Sequence, residues 1–319
     1  MTLRRIGRCV SPGHGGTFSR WLPEKKGCAP EPRAALMGMS LLPADTGIAR
    51  ATLRVGNLGR SLAFYRDVLG FEVSRDDNHS VALRDLLVLE ERPGIARRPP
   101  RPITTGLYHV ALLVPDRRAL GRALLGLRQA GYPLRGMSDH AVSESLYLDD
   151  PDGNGLEIYA DRPRSEWPVR DGVVQMTVDP MDVAGVVAAG RERPEPWRGL
   201  PRETVIGHLH FTVSQMEPAL AFYRDVIGFD VMMRIPSLVA VSAGGYHHHL
   251  NLNSWAGDDA PADFEEVAGL SGWELRVPDE SLRRALRERI QRAGALGTDS
   301  GGVIAHDPDA VAVKIIGPG

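Results

Sequence analysis

The apolar positions of this chain change period several times, and the changes come in a repeating order. Ala51-Thr-Leu-Arg-Val55 and Val110-Ala-Leu-Leu-Val114 read as strands. A polar turn after each supplies a helix start, and an amphipathic helix follows. Over Arg60 to Leu69 the apolar residues recur at helical spacing. Gly70 then stands where a helix end needs a left-handed residue. Two or three short strands complete the unit.

The unit recurs. Ala63-Phe-Tyr-Arg-Asp-Val-Leu-Gly-Phe-Glu-Val73 returns as Ala221-Phe-Tyr-Arg-Asp-Val-Ile-Gly-Phe-Asp-Val231, 158 residues later. A fainter pair accompanies these. Val114-Pro-Asp116 opens a helical segment that closes at Ala130-Gly131, and Val277-Pro-Asp279 opens one that closes at Ala293-Gly294. Asp150-Pro-Asp152 likewise returns as Asp307-Pro-Asp309. The pattern predicts an α+β fold of four βαβββ modules, near 48–95, 105–163, 205–257 and 269–318. Two domains are expected, 48–163 (modules one and two) and 205–318 (modules three and four), joined by a loop-rich linker over 164–204. Residues 1–36 mix Arg, Lys, Gly, Pro and Ser without periodicity. They read as a disordered tail or a mis-called start, with Met37 or Met39 as the true beginning.

Composition narrows the classes. At 319 residues with a formal net charge of −2, the chain has no basic surplus for nucleic acid or an anionic membrane. No apolar run approaches the roughly 20 residues that span a bilayer. Both cysteines, Cys9 and Cys28, precede the modules, so a disulfide scaffold is excluded for the body and a cytoplasmic location is expected. Cysteine nucleophiles and a Gly-x-Ser-x-Gly elbow are absent from the body as well.

The βαβββ unit, with Leu62-Ala-Phe-Tyr-Arg-Asp-Val-Leu-Gly-Phe71 on its helix, resembles the vicinal-oxygen-chelate superfamily of glyoxalases, bleomycin resistance proteins and extradiol dioxygenases. The resemblance covers about residues 48–317. It implies that the modules pair into two open, cup-shaped mixed β-barrels with flanking helices, and that metal ligands come from first and last strands. Five residues before the strand-closing valine stand His109 in module two and His208 in module three, but Arg50 in module one and Gly272 in module four. After the Asp150-Pro-Asp-Gly-Asn turn, the last strand of module two carries Glu157, where module four has Lys314. A protonated lysine cannot ligate. Singly, a histidine at a strand start or a glutamate after a turn is an ordinary structural or solvated residue. Jointly, His109, Glu157 and His208 form the two-imidazole, one-carboxylate set of a non-haem Fe(II) oxygenase, and the same donors suit Mn(II) or Zn(II). Because these ligands fall in modules two and three, those two modules are expected to share one cup, leaving one and four as the metal-free cup.

Further residues match the extradiol ring-cleaving dioxygenases within that superfamily. Tyr147 stands ten residues before Glu157, as the family's substrate-orienting tyrosine does, and His140 lies within a residue or two of a family histidine. Tyr246-His-His-His249 matches a strand whose second histidine is the family's acid–base group, which points to His248. Strand alternation would put His247 and His249 on the face opposite His248, and His210 on the face of His208. Leu107-Tyr-His109, Gly245-Tyr-His-His-His249 and Asp150-Pro-Asp-Gly-Asn-Gly-Leu-Glu-Ile-Tyr159 also resemble a Bacillus-type catechol 2,3-dioxygenase subgroup. The implied reaction is extradiol cleavage of a catechol- or hydroquinone-type diol by O2. Two other readings stay open. One is a glyoxalase-like isomerase or thiol transferase, with His248 as a fourth ligand. The other is a metal-free protein that binds aromatic compounds or drugs. Exposed sheet edges favour a homo-oligomer.

Overall fold

The computed structural model describes residues 41–99, 104–171, 173–192, 195–262, 265–297 and 302–318. The expected tail at 1–36 lies outside the described residues. Module one comprises β1 (Gly47–Val55), α1 (Leu58–Tyr65), β2 (Val73–Asp77), β3 (Ser80–Leu83) and β4 (Leu87–Glu91). Module two comprises β5 (Gly106–Leu113), α2 (Arg117–Gln129), β6 (Gly136–Asp139), β7 (Ser143–Asp149) and β8 (Gly155–Asp161). Between the halves lie the two-residue strands β9 (Val169–Arg170) and β10 (Val173–Val174) and a helix, α3 (Val183–Arg191). Module three comprises β11 (Val205–Thr212), α4 (Met216–Ala221) running on as a π-helix through Phe222–Ile227, β12 (Asp230–Ile235), β13 (Leu238–Ser242) and β14 (Leu250–Asn253). Module four comprises β15 (Gly269–Arg276), α5 (Glu280–Arg292), β16 (Val303–His306) and β17 (Ala312–Ile316). Among the described residues, an isolated bridge pairs Leu296 with Ala305 ahead of β16.

Two curled sheets hold the strands of the four modules, and β9 pairs with β10 in a separate two-stranded sheet. One runs β12-β13-β14-β11-β5-β8-β7-β6 and takes everything from modules two and three; the other runs β16-β17-β15-β1-β4-β3-β2 and takes everything from modules one and four. The pairing inferred from the ligand positions is therefore the one observed, and each half of the sequence contributes to both sheets. The sheets face each other through apolar side chains such as Phe211 and Trp273, whose rings lie 6.4 Å apart, and both residues are buried.

The repeated motifs explain how the two sheets are tied. Tyr65, in the first Phe-Tyr-Arg-Asp copy, donates from its hydroxyl to Asp150 Oδ2 at 3.0 Å; Tyr223, in the second copy, donates to Asp307 Oδ2 at 2.8 Å. Each aspartate uses its other oxygen to close its own turn. Asp150 Oδ1 accepts from the backbone N–H groups of Asp152 and Asn154, and Asp307 Oδ1 from those of Asp309 and Val311. The Phe-Tyr-Arg-Asp repeat and the Asp-Pro-Asp repeat are thus the two ends of one interaction, made twice. The helices carrying the tyrosines end alike. Gly70 (φ 72°) and Gly228 (φ 107°) take the left-handed position, and the next N–H reaches back to the tyrosine carbonyl, Phe71 to Tyr65 and Phe229 to Tyr223.

The linker is more ordered than its composition suggests. Its helix α3 lies against α2 at a pair of facing glycines. A Cβ on Gly121 would overlap the backbone of Val186 and Gly190, and one on Gly190 would overlap Gly121. Apolar spacing in Val183-Ala-Gly-Val-Val-Ala-Ala-Gly190 was masked by its small residues, which lower the contrast between faces while permitting close approach.

Burial carries the Asp150 and Asp307 carboxyls up to about 6, against the hydrogen bonds that favour the carboxylate. An acid raised above its unfolded value of about 3.9 holds its proton more firmly when folded. Its stabilising contribution is then complete below about pH 3.9 and is lost as the pH rises through about 6. The melting-temperature loss caused by Asp150→Asn, or by Asp307→Asn, should accordingly be larger at pH 4 than at pH 7, the two differing by up to about 2–3 kcal/mol in stability. Thermal melts across that range check this, and a loss that grows with pH would contradict it.

Candidate metal centre

The site is assembled where the two modules of the eight-stranded sheet meet. Strands β5 and β11 are antiparallel neighbours at its centre, with His210 opposite His109 and His208 opposite Ala111. On the other side of β5, β8 runs parallel and sets Glu157 opposite Ala111. His208, Ala111 and Glu157 therefore form one cross-sheet row, and directly opposed residues share a face. Ala111 is the reason this row works. Its methyl group leaves a gap through which His208 and Glu157 meet, His208 Nε2 lying 3.1 Å from Glu157 Oε2.

His109 completes the cluster. Its Nε2 lies 2.9 Å from Glu157 Oε2 and 3.3 Å from His208 Nε2. All three residues are buried, and they form the one group with metal-ligand spacing found among the described residues. Donors cis to one another on a metal at about 2.1 Å stand about 3.0 Å apart, and tetrahedral donors about 3.4 Å, so the spacing fits three donors on one face of a divalent ion. The protonation states fit too. Burial alone would raise the Glu157 carboxyl, but the His208 and His109 imidazoles more than offset it and hold it well below the usual carboxylate range. Burial lowers His208 to about 4 despite the pull of Glu157. An ionised carboxylate beside a neutral imidazole is the donor state a divalent metal takes.

The remaining candidates sit around this cluster. Tyr147 lies opposite Glu157 in the β7–β8 ladder, and its hydroxyl is 3.2 Å from Glu157 Oε1. His140 stands behind that hydroxyl, with Nε2 2.7 Å from it and Nδ1 2.7 Å from the Thr177 carbonyl oxygen. His140 thus meets Tyr147 rather than the ligand atoms. His248 lies beside His208 with ring centroids 4.1 Å apart and the rings tilted by 55°, yet it does not join the group with metal-ligand spacing. Burial, then the His208 and His247 rings, depress its basicity well below the usual imidazole value. Its Nε2 is buried and has no hydrogen-bond partner.

The triple histidine is not a strand segment. Residues 246–249 form an irregular bend that enters β14 only at Leu250, so alternation does not govern them. His247 and His248 are not opposed but touch, Nδ1 to Nδ1 at 2.8 Å. His247 Nε2 reaches Asp161 Oδ1 at 2.8 Å. His249 turns away to accept the Ala243 N–H and to meet Ser242 Oγ at 2.8 Å, an anchoring role. Two residues beyond His208 on β11, His210 contacts the His109 ring at 4.8 Å and accepts from Asn253 Nδ2 at 2.9 Å. From His109 and His210 a run of rings continues through Tyr108 to Trp255, which is 40% exposed.

Three residues of this site were not singled out from the sequence. Tyr159 and Asp161 follow Glu157 at every second position of β8 and so share its face; that spacing was the available signal. Gly207 is the third. A Cβ there would overlap the Tyr159 hydroxyl, which lies 2.8 Å from the Tyr246 hydroxyl. In the other sheet, Arg50 and Lys314 both pair with Glu274, at 3.5 and 3.8 Å. Ion pairs stand there in place of a donor cluster.

The chain belongs to the Glyoxalase/Bleomycin resistance protein/Dioxygenase superfamily, whose family model matches residues 47–158 and 205–308. It is 44% identical over 265 residues to the catechol-2,3-dioxygenase of Bacillus subtilis (strain 168), covering 80% of this chain and 91% of that protein. A Bacillus subtilis structure solved as a candidate dioxygenase superposes with a TM-score of 0.57 at 15% identity, over 86% of each chain. Glyoxalase I from Zea mays superposes with a TM-score of 0.51 at 16% identity, over 86% of this chain and 92% of that one. The structural likenesses speak to the fold alone. No described helix is long and apolar enough to cross a membrane.

Replacing His109, Glu157 or His208 by alanine should each weaken divalent-metal binding by more than about 100-fold, whereas His248→Ala should change it by only a few-fold. Titration calorimetry with Mn(II) or Zn(II) reads both effects. Tight stoichiometric binding in any of the first three variants would remove that residue from the centre.

Proposed function

We propose that this protein is an extradiol dioxygenase that cleaves a catechol-type aromatic diol with O2, using Fe(II) held by His109, Glu157 and His208. The observation that carries this reading is the ligand number. Three donors meet on one face while a further buried imidazole, His248, stands beside them without joining. An isomerase or transferase of the same fold with a fourth protein ligand would need His248 in the cluster. The 44% identity to a catechol-2,3-dioxygenase over most of both chains supports the same reaction class. Mn(II) and Zn(II) suit the donors equally; Fe(II) is preferred because O2 must be activated.

Bound there, Fe(II) supplies an electron source for activating O2 and a Lewis acid for the diol oxygens. The protein supplies the rest. Tyr147, its hydroxyl raised well above the usual phenol range by burial and then by Glu157, stays protonated and can donate to a diol oxygen beside Glu157. His248 offers a buried, unpartnered Nε2 that can take a diol proton and return it as the ring opens. The rings of Tyr108, His210 and Trp255 form an aromatic wall leading outward from His109, which suits a planar substrate. Both atoms of O2 end in the ring-opened product, so no additional reductant is needed.

Anaerobic loading with Fe(II), then catechol in air, should give the yellow semialdehyde product only when metal is present. His248→Ala should keep its iron and lose about 10²- to 10⁴-fold in kcat. Tyr147→Phe should lose less, because only orientation and one hydrogen bond go. A tightly bound metal with no turnover of any catechol would reject the reading.

A further inference from the structure

Asp161 ends a row of inward-facing residues on β8, after Glu157 and Tyr159, and it touches neither the ligands nor His248 directly. Its two oxygens are both used. Oδ1 lies 2.8 Å from His247 Nε2, and Oδ2 lies 2.9 Å from the Tyr246 hydroxyl. A carboxylate only accepts, so both neighbours donate. Tyr246, having given its proton to Asp161, must accept from Tyr159 at 2.8 Å.

The same reasoning passes through the imidazoles. A neutral imidazole carries one N–H. His247 spends it on Asp161 and is left with a bare Nδ1. The 2.8 Å contact between His247 Nδ1 and His248 Nδ1 then requires His248 to be the donor. That places the His248 proton on Nδ1 and leaves Nε2 bare. The reverse arrangement, with His247 doubly protonated and donating from Nδ1, would put the His248 proton on Nε2. That atom is buried without an acceptor, and orphaned buried N–H groups are rarer in folded proteins than bare acceptors.

We infer that Asp161 and His247 are positioning residues that fix His248 as the Nδ1–H tautomer, presenting a bare Nε2 beside the metal-ligand cluster. The inference rests on the proposed role of His248 in handling the diol proton. The chain of contacts has one wet end. Asp161 is 21% exposed and lines a cleft of about 540 Å³ together with Arg162, Arg164, Trp167 and Tyr246, whereas the His247 side chain is fully buried. The anchor therefore touches water while the two rings are buried. The arrangement is that of a carboxylate holding one ring nitrogen so that the other is free to react, here extended by a second imidazole.

The test uses the full chain labelled with ¹⁵N-histidine and loaded with Zn(II), which is diamagnetic. Long-range ¹⁵N–¹H correlation spectra report which ring nitrogen carries each proton, with His248→Ala identifying the signals. The wild type should show a pyrrole-like Nδ1 and a pyridine-like Nε2 for His248. Asp161→Asn, whose amide can donate as well as accept, should shift His248 toward the Nε2–H form while Zn(II) affinity stays within about threefold, and Asp161→Glu should restore the wild-type pattern. In the Fe(II) enzyme, Asp161→Asn should lower kcat by about 10- to 100-fold with little change in KM. An Nε2–H tautomer in the wild type, or an unchanged Nδ1–H tautomer in Asp161→Asn, would overturn the inference. If the Fe(II) wild type cleaves no catechol, the dioxygenase reading falls, and the Zn(II) spectra still decide the tautomer on their own.

Discussion

Everything at the candidate centre depends on one strand pairing, the antiparallel contact between β5 and β11. It joins the second quarter of the chain to the third, places His109 and His208 on adjacent strands and, through the parallel neighbour β8, brings Glu157 into reach. A slip of one residue in that ladder would send the inward side chains of β11 to the opposite face and dismantle the cluster. Register is therefore held from several directions. The buried apolar residues Val110, Leu112, Leu209 and Phe211 fix which face looks inward, and bulges between Ile206 and His208 and between His210 and Phe211 re-aim both histidines of β11. At the crossing point only a small side chain is tolerable, and Ala111 supplies it.

The two sheets have diverged in what they hold at related places. One sheet buries a carboxylate among imidazoles, an arrangement that leaves several nitrogen and oxygen lone pairs converging and that a divalent ion would satisfy. The other sets Arg50 and Lys314 on either side of Glu274, partly open to water, which is self-neutralising and needs no ion. The scaffold ties are kept in both. The tyrosine–aspartate pairs Tyr65–Asp150 and Tyr223–Asp307 have the same geometry, because they join helix to turn regardless of what the cup contains.

Much of this was legible in the sequence. The 158-residue repeat, the strand-closing valines and the lysine at 314 in place of a glutamate, read with the family resemblance, pointed to His109, Glu157 and His208, which the structure brings together, and to modules two and three sharing a sheet. What escaped the sequence did so for physical reasons. Alternation predicts opposite faces for His247 and His248, but the backbone there bends after Gly244 (φ 58°) and Gly245 (φ 68°), and a bend has no period-two faces. The small residues of α3 hid its amphipathicity. Asp161 was passed over because an aspartate at a strand end is ordinarily solvated, and its partner, His247, comes from 86 residues away. Long-range hydrogen bonds of that kind leave no local pattern.

The histidine content of module three then takes on a different sense. Of His208, His210, His247, His248 and His249, only His208 falls in the group with metal-ligand spacing. Each of the others is defined by what its nitrogens touch. His210 accepts from an asparagine amide, His249 from a backbone N–H, and His247 meets a carboxylate. Those partners fix tautomers, and a ring with a fixed tautomer has one defined donor and one defined acceptor edge. Among these histidines, His208 Nδ1 and His248 Nε2 are buried nitrogens without a hydrogen-bond partner, and of the two rings only His208 falls in the group with metal-ligand spacing. In a dry site crowded with imidazoles, where burial suppresses protonation of several rings, the proposed role of His248 rests on satisfying its neighbours rather than on charging it. The proposed role of His248 thus rests on the hydrogen-bonded histidines around the centre, and a carboxylate at the edge of an open cleft is where that chain of contacts begins.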